Sequence, residues 1–310
     1  MVDIEAVHAL RDALNAIGIR VADGVCMAQH TTFRIGGTAV LAAYPVTDRE
    51  AEQTVCLCKQ YGVACAVVGG GSNLLCADDG FCGCVIFTSE LRNICVSGKQ
   101  ITAGAGAPLV SVVRAAQKAS LAGLSFAYGI PGTVGGAVYM NAGAYGTEIG
   151  NLIESVCYYD IDQACTVTVS GEKCGFGYRE SIFQDQSKVI LSAVFLLTDG
   201  DQEAIRSEME DHLFQRRQKQ PLDFPSAGSA FKRAPGHYTA QLIDEAGLKG
   251  LTVGGAQVSE KHAGFIINRG GATAQDVRAL MEQIQTVIWE KYRVRIEAEI
   301  RYLSDCALHF

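Results

Sequence analysis

Val67-Val68-Gly69-Gly70-Gly71-Ser72-Asn73-Leu74-Leu75 is the stretch on which the fold of this chain turns. A short apolar run that breaks into Gly-Gly-Gly-Ser-Asn predicts a buried strand opening into a tight turn. Glycine has no Cβ, so its backbone takes positive φ and comes close to a ligand. Successive N–H groups in such a turn form a concave nest for anions, phosphate above all. A second glycine-rich run, Ile130-Pro131-Gly132-Thr133-Val134-Gly135-Gly136-Ala137-Val138-Tyr139-Met140-Asn141-Ala142-Gly143-Ala144-Tyr145-Gly146, carries buried-type residues inside it, unlike a polar flexible linker. Two such loops predict a phosphorylated cofactor held from two sides. Neither loop is Gly-x-x-x-x-Gly-Lys-Ser/Thr, so a P-loop for ATP is not expected. Gly-x-Gly-x-x-Gly between a strand and a long helix is absent too, which removes the Rossmann fingerprint.

The chain has 310 residues, 48% of them hydrophobic and 19% charged, enough for a large core and more than one domain. A net charge of −7 without a Lys/Arg stripe argues against nucleic acid as a partner. No run of eighteen apolar residues predicts a spanning helix. The start, Met1-Val2-Asp3-Ile4-Glu5-Ala6, lacks the basic and apolar blocks of a signal peptide. Twelve cysteines include the i, i+2 pairs Cys56/Cys58 and Cys82/Cys84 but no C-x-x-C pair, so no metal site is expected. They read as reduced thiols of a cytoplasmic protein.

Periodicity predicts helices over 3–17, over Asp48–Tyr61 with Thr47 as N-cap, and over Pro108–Ala119. Strand-like runs fall at 38–44, Val63–Val68, 84–88, 92–96, 100–103, Val156–Ile161, Cys165–Val169 and Val189–Leu197. Asp201–Lys219 reads as a polar-faced helix carrying Arg206, Arg216, Arg217 and Lys219, most of these charges being expected on a solvated face. After a break at Gln220–Pro225, helices are expected over Thr239–Ala246 and Thr273–Tyr292. Strands are expected over Ala263–Ile267 and Arg295–Leu303. Strands and helices mix without a strict βαβ rhythm, so the class is α+β.

Three further segments set reactive groups beside apolar neighbours: Tyr178-Arg179-Glu180-Ser181-Ile182-Phe183, Ser226-Ala227-Gly228-Ser229-Ala230-Phe231-Lys232-Arg233 and Ile296-Glu297-Ala298-Glu299-Ile300-Arg301. In an extended strand Glu297 and Glu299 share a face. They are either a charged outer surface or a pocket carboxylate with a raised pKa. Ser229, after a glycine, is a turn residue or a reactive hydroxyl, and the second glycine of a Gly-x-Ser-x-Gly elbow is missing. Arg179 either clamps a carboxylate bidentately or pairs structurally with Glu180 or Asp185.

Taken together, T-F-R-I-G-G, G-G-G-S-N-L-L, the 130–146 run, Y-R-E-S-x-F, A-G-S-x-F-K-R and I-E-x-E-I-R resemble the UDP-N-acetylenolpyruvoylglucosamine reductase (MurB) family from about Thr31 to Leu303. The resemblance implies an FAD-binding domain of the vanillyl-alcohol-oxidase (PCMH) type in two subdomains, 1–85 and 86–200, and a C-terminal α+β substrate domain, 201–310. It implies non-covalent FAD, NADPH as hydride donor, and reduction of UDP-N-acetylglucosamine enolpyruvate in peptidoglycan precursor synthesis. Gly69, Gly70, Gly71, Ser72 and Asn73 would cradle the FAD pyrophosphate. Gly132, Thr133, Gly135, Gly136 and Ala137 would line the flavin from the other side, with Arg34 and Ile35 near the cofactor. Arg179 would bind the substrate carboxylate and Ser229 would deliver a proton. Glu299 matches the family glutamate, with Glu297 the alternative. Lys219 and Arg233 would contact the UDP diphosphate. Fifty positions separate Arg179 from Ser229, so the chain resembles the family's second type, which lacks an inserted subdomain with a substrate-covering tyrosine.

Overall fold

The computed structural model describes residues 3–185 and 187–304, so the outer ends of the first and third expected domains lie outside it. The N-terminal elements follow their local signals. Helix α1 (Ile4–Ala16) starts where the Asp3 carboxylate accepts the amides of Glu5 and Ala6, and it buries Val7, Leu10 and Leu14. Strands β1 (Arg20–Cys26) and β2 (Thr38–Tyr44) pair antiparallel. Helix α2 (Asp48–Tyr61) is capped by Thr47 and stopped by Gly62 in the left-handed region.

Next come β3 (Cys65–Val68), β4 (Leu74–Cys76) and β5 (Phe81–Phe87). They build a sheet of order β1-β2-β5-β3 in which β2, β5 and β3 run parallel. The Gly69–Gly71 turn therefore leaves the C-terminal end of a parallel strand, where open α/β sheets bind ligands.

A second, antiparallel sheet uses β6 (Ile94–Ser97), β7 (Gln100–Gly104), β8 (Ile153–Asp160), β9 (Cys165–Ser170) and β10 (Lys188–Leu196) in the order β9-β8-β10-β7-β6. Helix α3 (Leu109–Lys118) and the short α4 (Val134–Tyr139) share its core with Val112, Val134, Ile149 and Phe195. Helix α4 was not foreseen, because two of its six residues are glycines of low helix propensity. Tertiary packing of Val134 and Val138 overrides that preference.

Helix α5 (Gln202–Lys219) leads to the C-terminal sheet. Its strands β11 (Ser226–Ser229), β12 (Thr252–Val253), β13 (Ala256–Val258) and β14 (Phe265–Asn268) stand in the order β11-β14-β13-β12. Helices α6 (Thr239–Glu245) and α7 (Ala274–Tyr292) accompany it. The core of this unit takes in Phe33, Ile35 and Leu75 from the N-terminal part of the chain.

The expected strand over 295–303 is corrected. Only β15 (Arg301–Leu303) forms, pairing in parallel with β4. Ahead of it, one antiparallel bridge joins Ala298 to Phe231. The backbone of 297–301 is divided between two partners: the Glu299 amide donates to Ala230 O, and the Arg301 amide donates to Asn73 O. A segment shared in this way does not extend one ladder. None of the eleven described cysteines is in a disulfide.

Candidate active site

The two glycine runs meet face to face. A Cβ on Gly69 would lie 2.3 Å from Thr133 Oγ1, and one on Gly70 would lie 2.9 Å from Gly132 Cα. Gly132, at φ 114°, would place a Cβ 2.7 Å from Ser72 Oγ. The Ser72 hydroxyl donates to Pro131 O at 3.1 Å and ties the loops together. Gly71 has φ 59°, and its Cβ would strike His30 O at 2.0 Å, so both space and torsion require glycine. A cleft of about 300 Å³ opens beside Gly69 and Gly70, lined also by His30, Thr31, Tyr44 and Phe87. Gly70 and Gly136 remain exposed with bare backbone. These features fit a dinucleotide cofactor whose phosphates approach the main chain.

Not every expected lining residue faces this cleft in the same way. The Gly135 amide donates to Ala105 O, and Ala137 is buried in the sheet core. Ile35 is buried in the C-terminal core, while the preceding Arg34 is exposed at a positive φ of 55°.

Arg179 and Glu299, 120 positions apart, are in direct contact: Nε donates to the carboxylate at 2.5 Å. Their side chains are only 18% and 12% exposed. The Arg179 guanidinium also reaches Gly143 O at 3.4 Å, at the end of the second glycine run. Arg179 sits at φ 58°, a strained torsion for a residue with a Cβ. The Gln184 amide holds it by donating to Arg179 O at 2.8 Å. The pairing considered with Asp185 does not occur; Asp185 is bonded by Lys188.

Glu297 and Glu299 now separate. Glu297 is 77% exposed and meets Lys232 at 3.6 Å. The Glu299 backbone is fixed at both ends, because its carbonyl accepts from Asn73 Nδ2 at 3.0 Å and its amide bonds Ala230 O. Ser229 precedes Ala230 on β11 and pairs with Phe265. The strand carrying the serine thus lies against the segment carrying the glutamate, and the glutamate against the arginine.

Arg233 is exposed, with its guanidinium near the rings of Tyr178 (5.8 Å) and Tyr238 (5.4 Å), and its amide donates to the Tyr178 hydroxyl. Lys219 is exposed at the end of α5. Gln184 had no role in the sequence reading, although it directly follows Y-R-E-S-I-F. Its side chain binds Tyr139 O and Arg179 O and accepts from Arg301.

Comparison with known proteins decides the family. The family model described as UDP-N-acetylenolpyruvoylglucosamine reductase, C-terminal domain, matches residues 220–303, and the FAD binding domain model matches residues 39–163. A UDP-N-acetylenolpyruvoylglucosamine reductase of Clostridium botulinum (strain Langeland) is 44% identical over 279 residues, covering 90% of this chain and 91% of the relative. The chain belongs to the UDP-N-acetylenolpyruvoylglucosamine reductase family. A Latilactobacillus sakei member is 42% identical over 301 residues, 97% of this chain and 98% of the relative. The crystal structure of the Thermus caldophilus reductase superposes with a TM-score of 0.79 at 33% identity, covering 92% of this chain and 99% of that one.

The expected fold class is thereby borne out: an FAD-binding domain followed by the family's C-terminal domain in an α+β chain. This member is an FAD-binding oxidoreductase, a UDP-N-acetylmuramate dehydrogenase. No helix among the described residues is long and apolar enough to cross a membrane.

Proposed function

We propose that Arg179, Glu299 and Ser229 carry the reduction of UDP-N-acetylglucosamine enolpyruvate to UDP-N-acetylmuramate, a step of peptidoglycan precursor synthesis. The observation that supports this most is the Arg179–Glu299 contact, set beside the strand that presents Ser229. FAD, reduced by NADPH, supplies the hydride that C3 of the enolpyruvyl group accepts.

Negative charge then grows at C2 and on the adjoining carboxylate, and stabilising it is the largest task of the site. Arg179 binds that carboxylate. Glu299 fixes the guanidinium through Nε, so Arg179 need not reorganise as charge develops. Ser229 gives its hydroxyl proton to C2. A serine hydroxyl is a weak acid, and nearby Lys232 or a water chain assists it. Lys219 and Arg233 contact the UDP diphosphate.

Gly69–Asn73 cradle the FAD pyrophosphate. Gly132, Thr133, Gly135, Gly136 and Ala137 line the flavin, with Arg34 and Ile35 at the entry. In this reading the cofactor lies between 1–85 and 86–200, and 201–310 closes over the substrate. The enzyme is of the second type, acts in the cytoplasm and binds FAD without a covalent bond.

Stopped-flow absorbance of Ser229→Ala separates the half-reactions. Flavin reduction by NADPH is expected to stay within a few-fold of wild type, while reoxidation by the enolpyruvyl substrate slows ~10²–10⁴-fold. Equal loss in both halves sinks Ser229 as proton donor.

A further inference from the structure

The turn that carries Arg179 is built against its own preference. Gly177 and Glu180 exchange both backbone hydrogen bonds, each at 3.1 Å, and Arg179 between them sits at φ 58°. A residue with a Cβ leaves that region unless its surroundings hold it there. Asn141 holds one side of the turn, its Nδ2 donating to Gly177 O at 2.8 Å. Gln184 holds the other, donating to Arg179 O at 2.8 Å.

Gln184 does more than hold one carbonyl. The same Nε2 donates to Tyr139 O at 3.1 Å. Tyr139 is the last residue of α4, where carbonyls lack a helical partner, and the Ser181 hydroxyl donates to the same oxygen at 2.8 Å. Gln184 Oε1 accepts from the Arg301 guanidinium. Arg301 opens β15 two residues beyond Glu299, and its guanidinium stands 5.5 Å from the centre of the Tyr139 ring. Carbonyls only accept and a guanidinium only donates, so one orientation of the carboxamide serves all three partners. The neighbouring Phe183 is buried in the core of the antiparallel sheet, its ring edge-on to Tyr158 at 5.5 Å, which fixes the backbone from which Gln184 reaches.

One side chain therefore joins the turn of Arg179, the helix inside the second glycine run and the segment of Glu299. Arg179 and Glu299 come together from 120 positions apart, and Gln184 bridges the backbones on either side of that contact.

We propose that Gln184 is a positioning residue for the reduction step: its N–H donors fix where the Arg179 guanidinium meets the substrate carboxylate. The inference rests on the reading of Arg179 as the group that binds that carboxylate. Gln184 acts through Arg179 alone, so its effect belongs to the half-reaction with the enolpyruvyl substrate and disappears when the guanidinium is absent.

The test uses the full, FAD-loaded chain and stopped-flow absorbance of both half-reactions. Gln184→Met keeps the length and removes all three hydrogen bonds. Reoxidation by the enolpyruvyl substrate is expected to slow roughly 10- to 100-fold, the scale of a reacting group displaced by about 1 Å, while reduction by NADPH stays within a few-fold of wild type. Gln184→Lys, which again offers donors to the two carbonyls, should recover most of the rate. Gln184→Glu, which keeps only the acceptor for Arg301, should not. In an Arg179→Met background, Gln184→Met should change reoxidation by less than about threefold, since a residue that works through a partner has nothing left to lose with it.

Equal slowing of both half-reactions would mark Gln184 as merely structural and overturn the proposal. So would reoxidation of Q184M within about threefold of wild type, undiminished loss in the Arg179→Met background, or recovery by Gln184→Glu rather than Gln184→Lys. If Q184M does not fold, Gln184→Leu takes its place under the same criteria. Wild-type reduced flavin that the enolpyruvyl substrate fails to reoxidise would instead overturn the functional reading.

Discussion

The cofactor cradle and the catalytic cluster are built by different means. The cradle is main chain: Gly69, Gly70, Gly71 and Gly132 have no side chains to offer, and their role is to let two loops approach. The cluster is side chain: Arg179 and Glu299 meet across 120 positions of sequence, with Gln184, Asn73 and Ala230 holding their backbones. A cradle of this kind depends on torsion and space and tolerates no added atom. The cluster depends on charge and orientation, so it can fail chemically while remaining folded.

The sharpest break between the two regions is expected from Arg179→Met. Turnover of the enolpyruvyl substrate should fall roughly 10²–10³-fold, the scale of losing one preorganised charge-stabilising group. The visible flavin spectrum of the purified variant should match wild type. Loss of flavin together with activity would mean that Arg179 belongs to the cradle.

Gly71→Ala should do the reverse. The left-handed torsion alone costs about 1–2 kcal/mol for a residue with a Cβ, and the clash with His30 O adds to it. FAD retention on gel filtration should drop, and reconstitution with excess FAD should restore most of the turnover. Full activity without added FAD would show that the loop yields more than its packing implies.

Glu297→Gln tests whether proximity in sequence matters. Its carboxylate is largely exposed and, among the described residues, pairs with Lys232 alone, an ion pair of a kind worth ~0–1 kcal/mol. Steady-state kcat/KM should change less than about threefold, roughly the effect of such a pair. A loss comparable to that of Glu299→Gln would reverse the assignment of the two glutamates.

The smallest effect is expected at His30, whose ring packs on Phe87 beside the cradle. Burial lowers its pKa, so the folded state resists protonation. Stability from neutral His30 is complete above the unfolded pKa and is lost as the pH falls through it toward the folded value. Between neutral and mildly acidic pH, the Tm of wild type should therefore fall slightly more than that of His30→Gln. Parallel curves would remove His30 as the cause.

The legibility of the chain follows the same division. Helix α2 was readable to the residue because Thr47, Gly62 and the buried spacing are local signals. The glycine turns were readable because positive φ leaves its mark on composition. The segment 295–300 was not, since its short bridge and its turn toward β4 depend on Phe231 and Asn73, far away in sequence. Nor could alternation separate Glu297 from Glu299; the partners of their side chains do that. Arg216 is a different kind of miss. Its helix reads as polar-faced, with a solvated face the likelier place for most of the charges, yet the Arg216 Nε is buried and has no hydrogen-bond partner among the described residues.

The bond from Asn73 Nδ2 to Glu299 O spans 226 positions. At a ribosome's pace of about 5–20 residues per second, the glycine turn emerges some ~10–45 s before the strand that will lie beside it. A nascent chain can shape its nucleotide half early, yet the reducing centre stays unfinished until Glu299 has been added. Chemistry in this enzyme is therefore timed by translation.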